Sequence, residues 1–285
     1  MKIDGRRVLM SLGGVIVCAV AVGFFKLAAL GVDPFQSLMS GLDQLIPIPF
    51  GTLYVIVNAV LLAFSLAFNR HNIGIATFIN LFLLGYITQF TLETLQGWFP
   101  APSMVLRVAF LLFGILVLCV GSALYMTADL GVSTYDSVAI TMANKWKWGK
   151  FQYIRIATDV VCVLAGIAVF LLGGGSWGRV PEIVGVGTIV TAFFMGPLIE
   201  FFNVHLARPM LGQTGPRTEK PGEASWDREN LIPVIRCSIC NGEQVAGFQQ
   251  KDTGHFEEGM LIRSEEDLQA FRNKYGIEGE IRKIY

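Results

Sequence analysis

Long apolar runs broken by short polar stretches organise the first two-thirds of the chain. Five stretches (8–25, 44–69, 71–92, 108–128 and 160–178) carry no ionised side chain, and 183–199 is nearly as long. Each is about 18 residues or more, the length at which an apolar run becomes a candidate membrane span. The pattern therefore predicts six transmembrane helices. A soluble domain would give most of its helices a polar face, and these have none. The first run reads as a span and not a cleaved leader. It is long, lacks a small-residue cleavage site and is followed by further spans.

The polar punctuation between the runs repeats. Residues 29–42 read ALGVDPFQSLMSGL, and residues 129–142 read DLGVSTYDSVAITM. At the same offset Arg7, Gly14, Val17, Val20, Ala28, Leu30, Gly31, Val32 and Ser37 recur as Arg107, Gly114, Val117, Val120, Ala128, Leu130, Gly131, Val132 and Ser137. Further on, ATFINLFLLGYITQF (76–90) aligns with GTIVTAFFMGPLIEF (187–201), so that Thr77 meets Thr188 and Gly85 meets Gly196. The stretch GGGSWG at 173–178 supplies the few extra residues of the second half. The expected fold class is an all-α polytopic membrane protein. Its six transmembrane helices form two inverted three-helix repeats, about 5–95 and 103–205, because three spans per half point the halves in opposite directions.

Each repeated stretch starts a short helix. Asp33 can cap one and Pro34 suits its first position, while Thr134 or Ser133 can cap the other. The helices are expected over roughly 34–46 and 134–146, too short to span. They are either amphipathic connectors on opposite membrane faces or re-entrant helices whose N-termini face a central cavity. Ionisable groups inside spans are functional candidates. Arg155 and Asp159 stand four apart, on one helix face, and Asn58 occupies a comparable place in the second span. The candidate solute-binding residues are Gly31, Asp33, Asn58, Gly131, Asp136 and Asp159, the glycines shaping the approach. The alternative for Lys26, Arg107, Arg155 and Glu200 is to snorkel to the interface, while single Asn and Thr residues are expected to join helices.

Charge divides the chain again. Only 15% of residues are charged overall; residues 1–205 hold 20 such side chains and residues 206–285 hold 24. Lys and Arg gather before the first span, at Arg70, at 145–150 and after the sixth span. By the positive-inside rule both termini are cytoplasmic. Residues 206–231 have a linker composition. Residues 232–285 read as a small cytoplasmic α+β domain, with Ser264 and Asp267 forming a capping box. Its Cys237 and Cys240 form one C-x-x-C, which supplies two of the four ligands of a structural zinc site. His255 is a candidate third ligand and no fourth is evident. Structural thiols, zinc, within one chain or across a homodimer, and a redox pair all stay open.

The LGVDPFQSLMSGL, IPIPFGTLYVIVNAVLL and GVGTIV…FFMGPLIEFF elements resemble the YitT/YczE-type family of bacterial integral membrane proteins over about residues 5–205. The resemblance implies a multi-pass protein of the bacterial inner membrane and no particular substrate; the tail lies outside it. The sequence shows no nucleophile–base set, no zinc-protease motif and no phosphate loop, so no enzyme is expected. No basic face or nucleic-acid motif appears either. The expected partners are the lipid bilayer and a small solute, with no cofactor beyond the zinc alternative. The expected function is a secondary transporter or permease. The rival is a membrane scaffold or sensor whose tail carries the function.

Overall fold

The computed structural model describes residues 5–148, 151–211, 226–227, 230–237, 244–252, 256–262, 264–277, 279 and 281–284. The chain forms two compact units, 1–211 and 212–285.

In the first unit, α1 (Gly5–Ala28), α2 (Pro34–Leu45), α3 (Phe50–Phe68) and α4 (Ile75–Trp98) are followed by α5 (Met104–Ala128), α6 (Thr134–Ile140) and α7 (Phe151–Leu172). Then come α8 (Val180–Ile183), α9 (Val186–Phe202) and α10 (Arg208–Met210). Helices α1, α3, α4, α5 and the stretch Tyr153–Leu172 are long and apolar enough to cross a membrane. The sixth expected span is broken: Trp177–Ala192 and Phe194–Met210 meet at 58°. Pro197 lies inside α9. A proline ring crowds the carbonyl four residues before it and withholds one hydrogen bond, which places the bend near residue 193. The fifth helix starts earlier than its uncharged run because it carries Arg155 and Asp159 within its first nine residues.

Helices α1 and α5 form the centre of this unit and run antiparallel. Arg7, at the start of α1, donates to the Ala128 carbonyl at the end of α5 (3.2 Å). Arg107 donates to the Ala28 carbonyl (2.6 Å) and also to that of Ala29. Their middles touch through glycine. A Cβ on Gly14 would stand 2.7 Å from the Tyr125 nitrogen and 2.8 Å from the Gly121 carbonyl oxygen, so no larger residue fits there. Small residues let helix backbones approach in this way where lipid supplies no hydrophobic drive.

The second short helix is α-helical for seven residues only. Thr141–Lys145 continue as a π-turn in which the Trp146 N–H reaches the Thr141 carbonyl (3.1 Å). The turn sets Trp146 edge-on to Phe64 and Phe68, at 5.8 and 5.4 Å.

The second unit is a four-stranded sheet of β1 (Leu231–Cys237), β2 (Gln244–Gln250), β3 (Phe256–Ile262) and β4 (Arg282–Ile284), in the order β3-β2-β1-β4, with one helix, α11 (Glu265–Tyr275). Strand β4 pairs parallel to β1 and the other pairs are antiparallel. The Ser264–Asp267 capping box starts α11, and Gly276 in the left-handed region ends it. Phe271, fully buried, anchors a core with Ile235, Ala246, Phe248 and Ile281. Trp226 joins it: its ring stacks on Phe248 at 5.0 Å and its Nε1–H donates to the Tyr275 carbonyl. The end of the expected linker is thus part of the tail's core. Most of the remaining linker lies outside the described residues.

Candidate functional site

After α1 and α5 the chain turns sharply. Ala29 and Asp129 take φ of 50° and 52°, and Gly31 and Gly131 take φ of 96° and 116°, where a side chain would be strained. Asp33 then caps α2, its carboxylate accepting from the Gln36 N–H (3.1 Å). Ser133, one of the two expected caps, does the same for α6 through the Asp136 N–H (3.1 Å). Because α1 and α5 are antiparallel, Ala28 and Ala128 are on the order of 30 Å apart. Yet Phe35 and Tyr135, in the first turns of α2 and α6, stack with centroids 4.9 Å apart. Both loops therefore turn back toward the middle of the α1–α5 pair, and the two short helices start next to each other.

A polar cluster surrounds this ring contact. Tyr135 donates its hydroxyl to Asp159 (2.6 Å), and Arg155 Nε lies 3.4 Å from the same oxygen. The Arg155 guanidinium also pairs with Asp136 and covers the Tyr135 ring at 4.6 Å. Ser133 donates to the second Asp136 oxygen (2.7 Å). One guanidinium thus serves two carboxylates. Asp159 lies eight residues into α7, about 12 Å along a helix of about 33 Å, a little over a third of the way in.

On the other side Tyr54 stands edge-on to Phe35 and donates to Asn80 (3.2 Å). Asn58 accepts from the Thr134 hydroxyl and donates to the Tyr54 carbonyl (2.8 Å). Gln36 is 4% exposed, and its Oε1 has no hydrogen-bond partner among the described residues. Buried acceptors are nearly always paired.

Of the six candidate residues, Asp136 and Asp159 meet directly through Arg155. Asn58 reaches the cluster through Thr134, and Asp33 and the two glycines shape the loops. Arg155 and Asp159 pair along one helix face, as their four-residue spacing predicts. Arg155 turns to its two carboxylates, Arg107 binds the carbonyls that end α1, and Lys26 lays its ammonium 3.1 Å from the Phe50 ring centroid. The sequence reading missed Tyr54, Phe35 and Tyr135 as cluster members. It also missed that Arg7 and Arg107 each bind carbonyls at the end of the other long helix, contacts whose only signal was their match between halves.

In the tail, Cys237 is buried in the sheet's core, and burial pushes its thiol up from its ordinary pKa despite Lys283 nearby. Its neighbours in the sheet's core include Ile235, Ala246 and Phe248. Cys240 and His255 lie outside the described residues.

Five apolar helices of spanning length around a polar centre define an integral membrane protein. One similar protein carries that description: the chain is 26% identical over 195 residues to the Bacillus subtilis "uncharacterized membrane protein YczE", covering 66% of this chain and 81% of that one. An uncharacterized Haemophilus influenzae protein is 26% identical over 193 residues, 67% and 81% of the two chains. The Bacillus subtilis protein YyaS is 19% identical over 200 residues, 70% and 94%. The chain belongs to the family of unknown function DUF6198, which matches residues 5–204, in keeping with the YitT/YczE-type resemblance. No solved structure matches.

Proposed function

We propose that the membrane unit is a secondary transporter or permease for a small polar or ionic solute, built as two inverted three-helix repeats around a midplane site. The observation that carries this reading is the meeting of α2 and α6. Two short helices that leave opposite ends of the α1–α5 pair start side by side at Phe35 and Tyr135, against Asp136, Arg155 and Asp159. Re-entrant helix starts beside ionisable groups at mid-span are the usual frame of a transporter site. Equivalent positions of the halves make equivalent contacts, which supports the repeat. The unpaired Gln36 acceptor supports a polar ligand. The Lys/Arg bias supports a bacterial inner-membrane location with both termini cytoplasmic. The reading assigns no catalysis and no cofactor to the membrane unit.

The test is a stability screen of purified protein against anions, cations, amino acids and metabolites, since a specific ligand stabilises the folded state. Uptake of the hit into proteoliposomes follows. If neither binding nor uptake occurs for any solute, the transporter reading fails. If Asp33→Asn and Asp159→Asn both leave flux unchanged, the site assignment fails.

A second reading, a membrane-anchored sensor, rests on the tail folding around its own core. Removing residues 212–285, which leaves the membrane unit whole, separates the two. Surviving solute flux favours the transporter, and loss of every phenotype with binding intact favours the sensor.

A further inference from the structure

The short helix α6 runs beside α3 and in the same direction. Thr134, at its start, donates to Asn58, and Trp146, just past the π-turn, lies against Phe64 and Phe68. The segment 145–148 is therefore laid on the end of α3. There the Phe64 and Phe68 rings tilt together at 4.8 Å and Trp148 packs on Trp146 at 5.0 Å, so four rings form one cluster. The cluster is open on one side, with Trp148 70% exposed and Phe68 39%. Three cations border it. The last carbonyls of a helix find no donor within the helix. Lys145 gives its ammonium to the Phe68 carbonyl and Arg70 gives its Nε–H to that of Leu66 (3.0 Å), which gathers both at the same helix end. Lys147, between the two tryptophans, is exposed and makes no hydrogen bond or ion pair among the described residues. No Asp or Glu occurs in 59–75 or 138–158, so neither segment neutralises these charges. The equivalent stretch of the first half, GLDQLIPI at 41–48, has no cation and no aromatic residue, and it carries Asp43. The patch is thus an addition to one end of the unit and not a property of the repeat.

We propose that this patch is a docking site for an anionic phospholipid. Arg70, Lys145 and Lys147 hold its phosphate, and the open faces of Trp148 and Phe68 take its glycerol and upper acyl region. Charge complementarity selects the occupant, since clustered Lys and Arg at the end of a span attract anionic headgroups. The rings select a lipid over a free anion. Tryptophan settles at headgroup depth, and a free anion would use the cations and leave the rings uncovered. The bound lipid pins the 145–148 segment to the end of α3, and with it α6, the helix that carries Tyr135 and Asp136 at its start. The inference rests on the membrane placement of this unit and not on the transporter reading.

The test uses the full chain in a neutral detergent, with phosphatidylglycerol, phosphatidylcholine or inorganic phosphate added. Thermal midpoints and the lipids retained in native mass spectrometry are read together. Phosphatidylglycerol should raise the midpoint and stay bound. It should also slow hydrogen–deuterium exchange at the Trp146 and Trp148 amides, which donate to the Thr141 and Met142 carbonyls. Phosphatidylcholine and phosphate should do none of these. Each cation beside an anionic lipid contributes about fivefold in affinity. Lys147→Gln should therefore weaken phosphatidylglycerol binding about fivefold, and Arg70→Gln with Lys147→Gln about twenty-five-fold, while Lys147→Arg keeps it. The Lys147 side chain bonds to no other described residue, so its variants keep the fold even if the loss of Arg70 does not. Arg179→Gln removes an exposed cation beyond the far end of α7 and should leave binding as in the parent. An equal effect of phosphatidylcholine or of phosphate overturns the proposal. So does undiminished binding by Lys147→Gln, or an equal loss in Arg179→Gln.

Discussion

Replacing Arg155 by Leu tests the electrostatics of the central cluster. Arg155 neutralises Asp136 and part of Asp159, and the three side chains are 34, 21 and 20% exposed. Removing one partner of a buried pair costs about 3–5 kcal/mol, chiefly because the other charge is left without compensation. At a fifth to a third exposure we discount this to about 2–3 kcal/mol. For a unit of about 200 residues each kcal/mol moves the midpoint by about 2–4 °C, so Arg155→Leu should lower it by about 5–10 °C. The triple variant Arg155→Leu, Asp136→Asn, Asp159→Asn removes the charges together. Asn can still accept the Tyr135 hydroxyl, so most of the loss should be recovered. Thermal unfolding of detergent-purified protein, followed by size-exclusion fluorescence, reads all three midpoints. A single variant as stable as the parent, or a triple variant less stable than the single, refutes the reasoning.

Gly131→Ala forces a side chain onto φ of 116° with its Cβ 2.6 Å from the Gly74 nitrogen. It should cost at least about 1–3 kcal/mol, whereas Gly97→Ala, exposed near the end of α4 with open space around it, should stabilise by about 0.5–1 kcal/mol; the two midpoints are compared directly. Phe271→Ala, at a fully buried site, should cost the tail about 3–5 kcal/mol, seen as lost exchange protection in β1 and β2 with α1 and α5 unaffected. Cys237 should resist alkylation at pH 7 in the folded protein, scored by mass spectrometry. Its raised thiol pKa means the unfolded chain ionises first, so this stability contribution is full below about pH 8.5 and declines as pH rises above it.

What was legible in the sequence was local. Asp33-Pro34 announces the start of α2, Ser133 that of α6, and Ser264 with Asp267 that of α11, because a cap is written within four residues. The spans follow from composition alone. Contacts between distant elements were not legible. Asp136 and Arg155 stand nineteen residues apart on different helices, and no periodicity links them. Arg7 and Arg107 looked like orienting charges, since a side chain at a helix start gives no sign of which carbonyl it will reach. Phe35 and Tyr54 sat on apolar faces indistinguishable from packing positions. That the two short helices start side by side became visible only with the Phe35–Tyr135 contact.

The halves also differ in an informative way. Where residues hold one half against the other, equivalent positions carry the same type: Arg7 and Arg107, Gly31 and Gly131, Gly74 and Gly185, Thr77 and Thr188. At the centre they diverge. Gln36, a neutral amide with a free acceptor, stands where the second half has Asp136, and Asn58 stands where it has Asp159. At those positions the same contacts are made at both ends: Arg7 and Arg107 bind helix-ending carbonyls, and Gly74 and Gly185 lie against the Leu130 and Leu30 carbonyls. A small solute has no twofold axis of its own, and a symmetric centre would offer it two equal, competing poses. The charged cluster of Asp136, Arg155 and Asp159 on one side of the Phe35–Tyr135 stack, with Asn58 and Asn80 around Tyr54 on the other, is asymmetric. On the proposed reading, therefore, converting Asn58 to Asp should weaken solute binding more than it weakens the fold. Ligand-dependent and ligand-free thermal midpoints of that variant separate the two, and equal losses in both would count against the asymmetric site.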